Sequence, residues 1–247
     1  MALVHGIKPI VTSGLVLCLD AANRKSYPGS GTAWTDLSGN GNNGTLSATS
    51  IGYNSANGGS LVFDGVNDYV NNSTNFLPNQ LFADSNGSWS VSCWFKFPVN
   101  PIGTRSVNAS WSLIGRSGGI ATSGTFIIYV GSETDTTYGA YTPFKVASTI
   151  RGAVTVISDS VNTDTWNNVV LTWDGSAGKY YFNTQQGVLS VGAAALQSYT
   201  QFYVGGGGSL TGHYYEGSIS LVSIYNRALT PQEIQQNFNA TRGRYGI

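Results

Sequence analysis

The sequence predicts an all-β chain: two antiparallel sheets packed face to face, with one short helix near the C-terminus. Three observations carry this. Trp89, Val91, Cys93, Phe95 and Phe97 alternate with Ser90, Ser92, Trp94 and Lys96. That is the period-2 pattern of a strand with one face on a core. Short apolar runs recur between glycine clusters such as Gly118-Gly119 and Gly205 to Gly208, which punctuate strands. Finally, Thr230-Pro231-Gln232-Glu233 has the form of a capping box with proline at the first helical position. Ile234 and Phe238 then share a face at i and i+4, and Gly243 is a stop signal.

The elements follow in order. Gly14 to Leu19 is an apolar strand that ends in Asp20-Ala21-Ala22-Asn23. A loop with Pro28, Gly29 and Gly31 leads to Trp34, which pins it. The cluster from Asp36 to Gly44 is a Gly/Asn turn that returns the chain to Thr45-Leu46. Further strands are expected at 126–130, 154–157, 169–173 and 202–204. Residues 1–13 read as an N-terminal arm and 14–247 as a single domain, since no interior stretch has the composition of a linker.

Composition narrows the function. Charged residues are 10% of the chain, against about 25% in an average soluble domain. Ser, Thr, Asn, Gly and Tyr must therefore cover the surface, which suits a crowded assembly or hydroxyl-rich ligands. Twelve basic and twelve acidic side chains cancel, so a polyanion is attracted only weakly and nucleic acid is not an expected partner. No segment has the length of a membrane-spanning helix. The start is not a signal peptide, because Lys8-Pro9 interrupts it. Synthesis in a cytoplasm is expected, and with it reduced, buried thiols at Cys18 and Cys93.

The segment Gly14 to Leu46 resembles the start of laminin-G-like domains of the concanavalin A-like lectin/glucanase superfamily, in the form found in tailed-bacteriophage virions. Leu61 to Val70 is similar to that family's FDG.NDYV hairpin, and Trp166 to Gly175 to its "W..v..twdg" strand. Gly217 to Thr230 is similar to its closing "YNRALt" signature, and Asn237 to Gly246 resembles the phage versions. The resemblance implies a jelly-roll sandwich with one appended helix. It also implies a non-enzymatic, surface-exposed virion component: a capsid decoration or an accessory tail or fibre protein. The expected partners are other virion proteins and sister copies, and the expected location is the virion. A lectin-like adhesin for host-surface glycans is the alternative.

Each candidate chemistry leaves a trace. The family's calcium sites typically use an acidic pair after "G.i", where this chain has Ser220 and Leu221. The turn with Asp36 and Asn40 offers one carboxylate and several amides, a weak calcium site at best, so no cofactor is expected. Glycosidases need two carboxyl groups across a cleft. The three glutamates, Glu133, Glu216 and Glu233, supply no such pair on a strand, so no enzyme activity is expected. Glycan or partner contact falls to the loop aromatics Trp34, Trp111, Tyr138, Tyr141, Tyr214 and Tyr215, with His213. The arm, through Val4, Ile7, Pro9 and Ile10, is expected to reach a sister subunit or another part of the particle, or equally to add a strand to its own sandwich.

Overall fold

The structure is a computed structural model. It describes residues 8–47, 51–72, 87–98, 110–116, 126–131, 145–151, 153–158, 160–192, 202–206 and 213–247. Two eight-stranded antiparallel sheets face each other, as the alternation predicts. The first runs β14 (Gln185–Leu189), β13 (Gly178–Phe182), β12 (Trp166–Trp173), β7 (Trp89–Lys96), β16 (Glu216–Tyr225), β5 (Ser60–Asp64) and β4 (Gly52–Asn54). β1 (Leu15–Asp20) shares the edge of β16 with β5: Glu216 to Ile219 pair with β5, and Leu221 to Tyr225 with β1. The second sheet runs β11 (Ala153–Ser158), β10 (Lys145–Ile150), β9 (Phe126–Gly131), β8 (Ser110–Arg116), β15 (Phe202–Val204), β6 (Val70–Asn72), β3 (Gly44–Leu46) and β2 (Ala33–Trp34).

The core lies between the sheets. Val91, Cys93, Phe95, Val169, Leu171, Ile219 and Val222 of the first sheet meet Val70, Ile114, Phe126, Ile128, Val146 and Val204 of the second. Register explains the selection: Val169, Cys93 and Val222 lie side by side across three strands, so one face collects them all.

One expectation is corrected. The Leu61 to Val70 segment is not a hairpin. β5 belongs to the first sheet and β6 to the second, so the turn at 65–69 carries the chain across the core. Asp64 and Asp68 build that crossing. Asp64 Oδ1 accepts from the N–H groups of Val66 and Asn67, and Asp68 Oδ2 accepts from the Asp64 N–H.

The outer face of the first sheet is covered by residues 8–13 and the C-terminal helix. Helix α1 (Pro231–Arg242) starts at the expected capping box, with Thr230 and Glu233 bonding reciprocally. Glu233 also pairs with Arg227 at 2.6 Å, which holds its carboxyl down at about 2. The helix does not stop dead at Gly243. A 3-10 turn, Gly243–Tyr245, tightens its end, and Gly246 takes the left-handed conformation at φ 75°. Phe238 and Tyr245 cover Trp94, Trp166 and Leu221, while Ile234 joins Val170, Tyr181, Tyr225 and Leu229.

The described part of the arm, from Lys8 onward, packs on its own domain. Gln236 Nε2 donates to the Pro9 carbonyl at 2.8 Å. The Val11 N–H donates to Asn237 Oδ1 at 2.8 Å, and its carbonyl accepts from the Tyr225 hydroxyl at 3.0 Å. Ile10 packs into the Trp94 cluster. Pro9 stays exposed apart from its bonded carbonyl, and Ile10 is half-buried. Val4 and Ile7 lie outside the described residues.

Candidate functional site

The Gly/Asn turn is a knot of hydrogen bonds centred on Asp36, which is buried. Its Oδ1 accepts from the N–H groups of Cys18 and Ser38, and its Oδ2 from the Ser38 hydroxyl and the Asn42 N–H, all at 2.7–3.0 Å. Four donors fill the carboxylate's lone-pair directions. Asn40 turns its amide to the Leu15 carbonyl and the Ser38 hydroxyl. Both residues are used to dock the loop on β1, and no cluster of three metal-ligating side chains occurs among the described residues.

Other carboxylates are similarly engaged. Arg244 holds Asp20 at 2.8 Å, and Arg227 holds Glu233. Asp174 Oδ1 accepts from Ser176 and Ala177, which lowers its carboxyl. Glu133 lies outside the described residues.

The expected aromatic surface divides. Trp34 is fully buried beneath its loop, Trp111 is buried on β8, and Tyr215 is buried with its hydroxyl donating to the Lys96 carbonyl at 2.9 Å. These three are core, which corrects their place in the contact surface. The physical reason is register: Trp111 stands opposite Val130, whose side chain faces the core. Tyr138 and Tyr141 lie outside the described residues. His213 and Tyr214 are half-buried.

Around Tyr214 the fold gathers residues the loop argument missed. Tyr69 stacks on Tyr214 with ring centroids 6.3 Å apart and planes 23° apart. Tyr203 meets Tyr69 edge-on at 5.7 Å and 71°. Asn71 stands directly opposite Tyr203 on one side and Thr45 on the other. Since Val70 and Val204 face the core, their neighbours Tyr69, Asn71 and Tyr203 face away from it. Burial and the nearby Tyr69 push the Tyr203 hydroxyl up, so it stays protonated. The alternation Asp68-Tyr69-Val70-Asn71 held this signal, hidden by the assumption that sites sit on loops.

The 213–215 segment is fixed by backbone bonds. The Ser112 N–H donates to the His213 carbonyl at 2.9 Å, and the Tyr215 N–H to the Gly205 carbonyl at 2.8 Å. Gly206 has φ 111°, and a Cβ there would sit 2.9 Å from the Tyr214 Cα. Glycine is required for this approach. The result is a half-buried Tyr69–Tyr214 pair on the outer face of the second sheet, with Asn71 and Thr45 beside it and Tyr203, only 4% exposed, packed edge-on against Tyr69. It can stack on a ring face and hydrogen-bond to hydroxyl groups. A concavity of about 680 Å³ runs beside α1 between Lys8, Gln232, Gln236, Asn239 and Arg242, with no aromatic ring among its described lining.

A model of the concanavalin A-like lectin/glucanases superfamily matches residues 64–235, and the chain belongs to that family. Solved structures agree on the fold. The sialidase of Trypanosoma rangeli, solved with the inhibitor DANA, superimposes with a TM-score of 0.60 at 16% identity over 96% of this chain. This chain spans only 36% of that enzyme's length. Domain 4 of AbnA, a GH43 extracellular arabinanase from Geobacillus stearothermophilus solved with arabinotriose, matches with a TM-score of 0.57 at 18% identity. That match covers 92% of this chain and 98% of the domain. The receptor-binding domain of botulinum neurotoxin C/D mosaic serotype gives 0.56 at 16% identity, over 92% of this chain and 51% of that one. No curated protein sequence matches.

Proposed function

We propose that the chain is a non-enzymatic, surface-exposed component of a tailed-phage particle, a capsid decoration or an accessory tail or fibre protein. The observation that carries this reading is how the chain's distinctive motifs are used. Asp20, Asp36, Asp64 and Glu233 are engaged in loop docking, turns and a cap rather than aimed at a cleft. Motifs that serve only to hold a rigid, weakly charged sandwich fit a building part of an assembly. Particles purified from an infected host and probed with an antibody to this chain test the reading. Labelling on the particle exterior is expected; particles that lack the chain overturn it.

A second reading, a host-surface glycan adhesin, is favoured by the stacked Tyr69–Tyr214 pair. The arabinotriose bound to the arabinanase domain shows that a domain of this fold and length can hold a sugar. Purified protein is screened against immobilised glycans beside the Tyr69→Ala and Tyr214→Ala variants. Binding that both variants lose supports this reading, and an absence of glycan binding leaves the building-part reading alone.

A further inference from the structure

Among the described residues β14 is the outermost strand of the first sheet, and one of its sides pairs with no other strand. Asn183 and Thr184 both have positive φ, 46° and 75°, so β13 and β14 are joined by a two-residue primed turn. In such a hairpin the closing residues, Phe182 and Gln185, exchange hydrogen bonds. The other side of β13 gives the same parity. The Asn183 N–H donates to the Asn168 carbonyl at 2.9 Å, so odd-numbered residues face β12 and even-numbered ones face β14. Gln185, Gly187 and Leu189 are thus satisfied against β13. Gln186, Val188 and Ser190 point their backbone groups outward. Ser190 is capped, because its N–H donates to Thr155 Oγ1 at 2.8 Å. Nothing among the described residues engages the other two.

Edge strands are normally protected by charge, proline, a bulge or a covering segment. β14 carries neither charge nor proline, and its register with β13 is unbroken. Gln185 and Gln186 are exposed, and Val188 is 79% exposed.

We propose that β14 pairs antiparallel with β14 of a second copy of this chain, about a two-fold axis through Gly187. Parity selects the occupant. The two outward residues are symmetric about Gly187, so a dyad there sets Gln186 of each copy against Val188 of the other. Each such pair exchanges two backbone hydrogen bonds, and both copies are satisfied at once. The strand is uncharged, so self-pairing brings no like charges from β14 together. At the axis stands a residue with no side chain. Gly187 is held to glycine by the Tyr180 ring that lies over it, where a Cβ would clash. The first sheet then continues from one copy into the next.

Sedimentation equilibrium of the full chain, taken up to millimolar concentration, tests this. A reversible dimer is expected. Val188→Pro removes an outward N–H and leaves the β13 ladder intact, as proline on an open edge allows. It should weaken the dimer about tenfold or more. Val188→Lys places a charge on the open edge and should weaken it too; if Val188→Pro does not fold, Val188→Lys decides alone. A chain that stays monomeric throughout overturns the proposal. So does a dimer that Val188→Lys leaves unchanged.

Discussion

The ring of Tyr245 lies 4.2 Å from that of Trp94, with the planes 26° apart. Trp94 is the one large apolar residue on the polar face of β7, and Tyr245 is why it can stand there. Phe238 stacks on the same indole at 5.3 Å, and Trp166 meets Tyr245 at 4.7 Å. The Tyr245 hydroxyl donates to Ser220 Oγ at 3.0 Å, and Ser220 Oγ donates to the Gly59 carbonyl at 2.7 Å. Tyr245→Ala should therefore cost about 3–5 kcal/mol of stability, as large aromatic truncations do. Tyr245→Phe keeps the stack and loses one buried hydrogen bond, about 1 kcal/mol. Urea unfolding of the three proteins checks both values. Equal losses for the two variants would mean that the stack contributes nothing.

Deleting residues 1–13 should leave a folded but weaker domain. The deletion removes both bonds to Val11, the Gln236 bond to Pro9 and the packing of Ile10 and Val11 under α1. A loss of about 2–4 kcal/mol is expected. Differential scanning calorimetry reads it as a lower midpoint with a single transition. An unchanged midpoint would show that the contacts of 8–13 are not formed in solution.

The two cysteines should be inert until the protein unfolds. Val222 stands opposite both Leu19 and Cys93, so those three share the core face, and Cys18 points the other way. The sheet therefore separates the two thiols. Burial, with help from Asp20 and Asp36, pushes the Cys18 thiol up to about 12, and burial alone raises Cys93. Neither offers thiolate at neutral pH. A thiol reagent should label no cysteine in native protein and two in denaturant. Fast native labelling of Cys18 would mean that the Trp94 layer opens.

The sandwich, the capping box, the Trp34 pin and the β7 alternation were legible because each depends on local periodicity or turn chemistry. What was hidden depends on which sheet a strand joins. Asp64 to Val70 reads as a hairpin because a Gly-centred turn between apolar runs is the local signal for one. Only the pairing of β5 with β16 and of β6 with β15 reveals a crossing. The same blindness placed Trp111 and Tyr215 on the surface and passed over Tyr69 and Tyr203. Their facing follows from neighbours far away in sequence. The arm's contacts with Asn237 and Tyr225 span more than two hundred residues and leave no local trace.

The crossing turn gives the last prediction. Asp68 is 2% exposed, and its Oδ1 has no hydrogen-bond partner among the described residues. Burial raises its carboxyl above the usual range, the bond from the Asp64 N–H pulls it back, and the Asp64 carboxylate raises it again. Glu216, opposite Asp64 on β16, adds a third acidic group near this end of the strand. The sign follows from the upward shift. A carboxyl raised in the folded state favours the protonated fold. Its stabilising contribution is complete below the unfolded value and is lost as pH rises through the folded one. At neutral pH Asp68 is therefore a net liability. Asp68→Asn keeps an oxygen for the Asp64 N–H and removes the buried charge. The variant should gain stability relative to the parent as pH rises from 4 to 7, with the difference between the two unfolding curves growing through the folded value. Guanidinium melts at several pH values measure that difference. A difference that stays flat, or a variant weaker by the same amount at every pH, would show that Asp68 is ionised in the fold at no cost.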